Sequence, residues 1–155
     1  MTLTCASRSS EPSTNATPTP LWWPADPAAW VSGSGELGSW VADVQGQVIG
    51  HVQLHTAEGA PVRLWERGTG IGAEGLVVVG RLFVDPGHRR GGVGSALLYV
   101  AVGAARRHGL QPVLDVLLRN KVACEMYEAS GWRNLGQFSW EWASGSEPAY
   151  AYALP

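Results

Sequence analysis

Cysteine, net charge and long apolar runs are all scarce in this chain, and each shortage closes off a class of function. Only two cysteines, Cys5 and Cys124, occur in 155 residues. Neither has the paired spacing of a zinc site, so both read as reduced thiols and no metal is expected. A formal charge of −2 and a pI near 6.0 offer no general attraction for phosphodiester backbones or anionic lipid. Nucleic acid and membrane surfaces are therefore not expected partners. No apolar run approaches the ~20 residues that cross a bilayer, and Met1–Pro20 lacks the basic start and continuous apolar core of a secretory signal. A cytoplasmic protein is expected. The 45% of apolar and 15% of charged residues suit a globular chain, and the length suits one domain that buries roughly two-thirds of its unfolded surface.

Large apolar side chains are also nearly absent from Thr2–Pro20, which is mostly Ser, Thr, Pro and Ala. Such a stretch cannot offset its ordering entropy by burial. Residues 1–20 are thus predicted to be a tail, and residues 21–155 a single domain. Within Leu21–Trp30, Asp26 can cap a short helix with Pro27 at its first position, ending before Gly33.

Beyond that point the patterning is regular. Ser39–Val44 and Val48–Leu54 are β-rich arms joined through Gln45-Gly46-Gln47, which predicts an antiparallel hairpin. Alternation in the second arm puts His51, Gln53 and His55 on one face and Val52 and Leu54 on the other. Glu58–Gly75, rich in glycine and charge, is predicted to be mostly loop. Leu76–Val84 is an apolar run broken only by Gly80 and Arg81, as in a central strand covered on both faces. The period then changes to 3.6, with Val93, Leu97, Val100, Ala101 and Ala104 in one stripe and Gly109 as the stop. Val113–Leu118 follows as a strand and Lys121–Ser130 as a helix ending at Gly131. Trp132–Trp142 and Tyr150–Leu154 close the chain as antiparallel strands.

The loop between the central strand and the first long helix, Val84-Asp85-Pro86-Gly87-His88-Arg89-Arg90-Gly91-Gly92-Val93-Gly94-Ser95, has the chemistry of an anion site. Unpaired amides at a helix start and the helix dipole attract phosphate. Glycines let the main chain come close, and Arg89 and Arg90 add charge. An ordinary turn with solvated arginines is the plainer alternative. A nucleoside-triphosphate loop needs a lysine after its glycines, and none follows. A dinucleotide fingerprint needs a third glycine where Leu97 stands.

Arg89-Arg90-Gly91-Gly92-Val93-Gly94, preceded by Leu82-Phe83-Val84-Asp85-Pro86, resembles the Gln/Arg-x-x-Gly-x-Gly/Ala motif of the GNAT acetyltransferases. The run from Asn120 through Ala123 and Tyr127 to Gly131-Trp132 resembles the second signature of that family, Asn-x-x-Ala-x-x-x-Tyr-x-x-x-Gly-Phe/Trp. Both motifs lie in the family's order on strand-loop-helix-strand-helix, and the resemblance extends from Ser39 to the C-terminus. The fold class it implies is α/β in the broad sense (α+β), the GNAT acyl-CoA N-acyltransferase fold. That fold has a central mixed, mostly antiparallel sheet with splayed central strands and flanking helices.

The resemblance also implies a chemistry. Acetyl-CoA would be the co-substrate, with Leu82, Phe83 and Val84 on its pantetheine and Arg89, Arg90, Gly91, Gly92, Val93, Gly94 and Ser95 around its pyrophosphate. Asn120 would touch the cofactor or cap its helix. An amine would attack the thioester directly while a backbone amide of the splayed strand polarises the carbonyl. Tyr127 would protonate the departing thiolate, and its alternative is an aromatic packing the helix on the sheet. Asp115 would take the proton of the amine, or be a hydrogen-bonded structural aspartate. His51, His55 and Glu74 are the other candidate bases.

On the acceptor side, Arg81 must find a carboxylate, phosphate or water-filled cleft, and reads either as recognising a carboxylate on the acceptor or as an internal pair with Asp115 or Glu74. His51 and Trp30 are the other candidate acceptor-binding residues. Most of the eight tryptophans should be core. The acceptor is a small-molecule or peptide amine, and the protein a monomer or homodimer. A GNAT-like domain that binds acyl-CoA without turnover is the alternative function, and Tyr127 favours the enzyme.

Overall fold

The computed structural model describes Thr2–Cys5 and residues 35–155. A seven-stranded sheet runs through it in the order β1-β2-β3-β4-β5-β7-β6. Its strands are β1 Thr2–Cys5, β2 Glu36–Val44, β3 Gln47–Thr56, β4 Leu76–Val84, β5 Gln111–Leu117, β6 Arg133–Trp142 and β7 Gly145–Ala153. Every neighbouring pair is antiparallel except β4–β5. The mixed, mostly antiparallel sheet with flanking helices agrees with the fold expected from the motifs.

Among the described residues three helices cover the sheet: α1 Val62–Thr69, α2 Val93–Arg107 and α3 Lys121–Ala129. Val93, Leu97, Ala101 and Ala104 of α2 and Tyr127 of α3 share one apolar cluster with Val52, Leu54, Val77, Val79, Leu114 and Tyr152 of the strands. On the opposite face Trp65 of α1 packs with Leu76, Val78, Val113, Ala151 and Ala153. Strand alternation divides the side chains between these two layers as the period-two pattern requires. No helix among the described residues is long and apolar enough to cross a membrane.

Two local expectations are corrected. Residues 58–75 are not mainly loop, because α1 occupies Val62–Thr69 and ends at Gly70 in the left-handed region (φ 75°). Gly68, which reads as loop composition, instead lets the helix lie close to β6: a Cβ there would stand 2.6 Å from Leu135 Cδ1. Thr2–Cys5, predicted as tail, runs antiparallel to β2 with Thr2 opposite Asp43 and Cys5 opposite Trp40. Pairing with an available strand edge supplies backbone hydrogen bonds that composition does not reveal. The remainder of the expected tail, the helix expected after Asp26, and Trp30 lie outside the described residues.

The β2–β3 hairpin turns through Gln45 and Gly46, both at positive φ (54° and 83°), a two-residue connection suited to twisted strands. It places His51 and Gln53, both buried, on the α1 face, as the alternation predicts. Val52 and Leu54 face the α2 side.

Candidate active site

β4 and β5 pair at only three positions, Leu76 with Gln111, Val77 with Pro112 and Val78 with Val113. Both strands continue past that point, β4 to Val84 and β5 to Leu117, but no longer as partners. The sheet therefore opens between the carboxyl ends of its two parallel strands, leaving a polar main-chain edge available to a ligand. Trp65 Nε1 donates to Leu114 O at 3.2 Å, one residue beyond the last β4–β5 pair. Leu114 is paired with Tyr152 of β7, so the indole adds a second donor to that carbonyl and ties α1 to β5 beside the opening.

β4 is also bulged. On β3, His51 lies opposite Phe83 and Gln53 opposite Gly80, so β4 carries one more residue than β3 between those pairs. Arg81 stands there at φ 51°, a backbone conformation that costs a non-glycine residue about 1–3 kcal/mol unless its surroundings enforce it. Two side chains of β3 do so. His51 Nδ1 donates to Arg81 O at 3.0 Å, and Arg81 Nη1 donates to Gln53 Oε1. For Arg81 the sequence offers a carboxylate of the acceptor or an internal pair with Asp115 or Glu74; its guanidinium donates to Gln53, and Glu36 acts on its charge.

After Val84 the chain enters the arginine- and glycine-rich loop. Asp85 N donates to Ile49 O at 2.8 Å, and the Asp85 carboxylate accepts from Gly87 N (3.3 Å) and pairs with His88 Nδ1 (2.9 Å). The His88 contact, followed by the Gly87 amide, holds the Asp85 pKa below its ordinary value. Arg89 Nε donates to Val84 O at 3.1 Å. Arg90 (φ 63°) and Gly92 (φ 80°) are left-handed and turn the chain into α2, whose start has no side-chain cap. A Cβ at Gly92 would meet no protein atom within 4 Å, so the space over the first amides of α2 is open. An uncapped, open helix start behind two arginines has the geometry and charge that favour an anion.

Tyr127 and Asp115 lie on opposite faces of the sheet. Tyr127, 7% exposed, lies in the α2-side cluster, edge-on to Trp132 with centroids 6.0 Å apart and tilted against Tyr152. Its hydroxyl makes no hydrogen bond among the described residues. Burial raises its pKa, with smaller contributions from Asp115 and Cys124, so the phenol stays protonated. Asp115 alternates with Leu114 and Val116 of that cluster and faces the α1 side, where Trp140 Nε1 donates to its Oδ2 at 2.8 Å. Burial raises its pKa, opposed by the Trp140 hydrogen bond and by the nearby His55. Asn120 stands at the N-cap of α3 without a side-chain capping bond.

The other candidate bases are distributed along the α1 face. His51 is 4% exposed and stacks on Phe83 (5.3 Å, 16°), while His55 Nδ1 donates to Thr56 O at 3.0 Å. Burial lowers the pKa of both. Glu74 precedes the paired end of β4, away from the splay, in the wall of a cavity of about 390 Å³ shared with Leu37, Thr56, Glu58 and Leu76. None of the residues grouped at the bulge lines that cavity. Among the described residues no cluster of His, Cys, Asp and Glu could hold a metal ion. Trp65, Gln53 and Trp140 complete the arrangement and were not singled out as site residues from the sequence. The indole of Trp65 inside a charged segment is the only signal that pointed to it.

The model of the acetyltransferase (GNAT) family matches residues 6–132. The chain belongs to the GNAT acetyltransferase family. A comparison with curated proteins found no match. Among solved structures, this GNAT chain is similar to the ribosomal-protein-S18-alanine N-acetyltransferase from Escherichia coli, at 20% identity and TM-score 0.62 over 86% of this chain and 78% of that one. It is similar to Arabidopsis thaliana NAA60 in complex with a bisubstrate analogue, at 20% identity and TM-score 0.61 over 81% of this chain and 78% of that one. A putative streptothricin acetyltransferase from Bacillus anthracis, in complex with acetyl coenzyme A, matches at 20% identity and TM-score 0.60 over 79% of this chain. This chain spans 63% of that protein's length. At such identities these likenesses concern the fold.

Proposed function

We propose that this GNAT protein transfers an acetyl group from acetyl-CoA to a primary amine by direct attack. The observation that carries the reading is the splay of β4 from β5 beside a bulge, directly before the uncapped start of α2. A long, flexible thioester with a diphosphate at one end matches those two features in sequence. Its pantetheine can pair with the strand edge at Leu82, Phe83 and Val84, and its diphosphate can meet Arg89, Arg90 and the amides from Gly91 to Ser95. The acetyl-CoA complex of the Bacillus anthracis relative supports the same choice of ligand.

In the proposed reaction the amine nitrogen forms a bond to the acetyl carbon and the carbon–sulfur bond breaks. Asp115 takes the proton from the amine, and the Tyr127 hydroxyl gives a proton to the sulfur. A carboxylate whose pKa is raised by burial is a stronger base than an exposed one, which suits proton abstraction near neutral pH. A phenol kept neutral, with no hydrogen bond among the described residues, is suited to donating. Their positions on opposite faces of the sheet are compatible with a reaction centred in the opening between them. A protein that only bound acyl-CoA would have no need of such a phenol. Thiol release from acetyl-CoA with a panel of small amines and peptide N-termini, followed by mass analysis of the acceptors, tests the reading. A gain of one acetyl group on any acceptor is expected, and acetyl-CoA binding without transfer to any class of amine would contradict it.

A further inference from the structure

The imidazole of His51 is an unusual group for the middle of a sheet. It is buried, stacked on Phe83, and its Nε2 has no hydrogen-bond partner among the described residues. Its Nδ1 lies 3.0 Å from Arg81 O. A carbonyl oxygen can only accept, so Nδ1 carries the hydrogen and Nε2 is a bare lone pair. The bond is made to the residue of the β4 bulge that is left-handed.

That contact fixes more than Arg81. The peptide linking Arg81 to Leu82 is trans, so its N–H points opposite to its C=O. With Arg81 O drawn toward His51 on β3, Leu82 N–H is directed away from β3, toward the side of β4 where β5 has separated. Arg81 and Leu82 together stand against the single β3 residue Val52, between the His51–Phe83 and Gln53–Gly80 pairs. Gln53 holds the same bulge through the Arg81 side chain. We propose that His51 is a positioning residue: its Nδ1–H fixes the Arg81–Leu82 peptide and thereby aims the Leu82 amide at the acetyl carbonyl oxygen. The inference rests on the acetyl-CoA reading above. It gives the buried histidine a role through Nδ1 and none through Nε2, and it distinguishes His51 from a base.

The experiment uses the full chain and acetyl-CoA labelled with carbon-13 at the acetyl carbonyl, and needs no acceptor. Isotope-edited infrared spectra would be recorded for wild type, His51→Asn and His51→Gln, with affinity for acetyl-CoA measured alongside. Asparagine can place an N–H near the Nδ1 position, whereas glutamine reaches toward Nε2. The carbonyl stretch is expected to move to lower frequency on binding to wild type and His51→Asn, and to lose that movement in His51→Gln while acetyl-CoA still binds. Any other pattern in folded variants overturns the proposal, and movement kept by glutamine but lost by asparagine would give the role to Nε2. Where a variant does not fold, nitrogen-15 NMR of the wild-type ring decides: hydrogen on Nδ1 supports the proposal and hydrogen on Nε2 overturns it. A wild type that binds acetyl-CoA without a carbonyl shift removes this inference alone. A wild type that does not bind removes the proposed function, and the inference with it.

Discussion

Trp65 Nε1 donates to the carbonyl of Leu114 at 3.2 Å, at the point where β5 parts from β4. Leu114 is also paired with Tyr152 of β7, so a side chain of α1 adds a second donor to a buried carbonyl and fastens the helix to β5 beside the opening. Trp65→Phe keeps an aromatic ring in the cluster and removes one buried hydrogen bond, a loss of about 0.5–1.5 kcal/mol because Leu114 O keeps its β7 partner. For a domain of this length that corresponds to a fall in melting temperature of roughly 1–6 °C. Thermal melts of the two proteins check it; an unchanged midpoint would mean that the indole bond adds nothing to stability.

Tyr127→Phe removes a hydroxyl that makes no hydrogen bond among the described residues. Its effect should therefore appear in turnover and not in stability. General acid catalysis contributes roughly 100- to 10,000-fold, and a loss in that range is expected with an unchanged melting temperature and unchanged acetyl-CoA affinity. Less than about a threefold loss, measured where chemistry limits the rate, would leave Tyr127 as packing between Trp132 and Tyr152.

Asp115 carries opposite consequences for stability and rate. Its folded pKa is raised from a usual value of 3.8, chiefly by burial. The folded state therefore binds its proton more tightly than the unfolded state does. The resulting stabilisation is present below that usual value and is lost as the pH rises through the folded pKa. Asp115→Asn keeps an oxygen for Trp140 Nε1 and has no such titration, so its stability relative to wild type should improve as pH rises from about 4 toward neutrality. Turnover should fall, and recover partly at higher pH where the amine deprotonates unaided. Melting curves across that range check the first part. A variant less stable than wild type at neutral pH would make Asp115 a structural acceptor for Trp140.

Much of this arrangement was legible in the sequence because it depends on short-range pattern. The alternation that puts His51 and Gln53 on one face, the apolar run of β4 and the two family signatures all survive in the structure. Arg81 stood out as a charge in an apolar strand, yet its partner did not. Bulging shifts the register by one residue between β3 and β4, and that shift depends on a pairing far away in sequence. The α1 helix was hidden for a related reason: Gly68 meets Leu135 of β6, a close approach that a linear reading takes for loop flexibility. The N-terminal strand depends on the edge offered by β2, and its Ser/Thr-rich residues carry no periodic signal of their own.

Gly92 separates charge from shape at the entrance to α2. Its φ of 80° favours glycine, and asparagine tolerates that region better than most residues. Gly92→Asn and Gly92→Asp have nearly the same size and differ by one charge. Both should fold, since a Cβ there meets nothing within 4 Å. Acetyl-CoA should bind Gly92→Asp at least 10-fold more weakly than Gly92→Asn, with the gap narrowing as salt is added. Equal affinities in low salt would show that no phosphate lies over this helix start.

The central claim is that the splay of β4 from β5 and the loop before α2 together hold acetyl-CoA, and thermal melting with that ligand tests it most directly. Acetyl-CoA at ~100 times its dissociation constant should add about 2.7 kcal/mol of stability, which for a domain of this size is a rise of roughly 5–11 °C. A melting temperature unmoved by millimolar acetyl-CoA would contradict the claim.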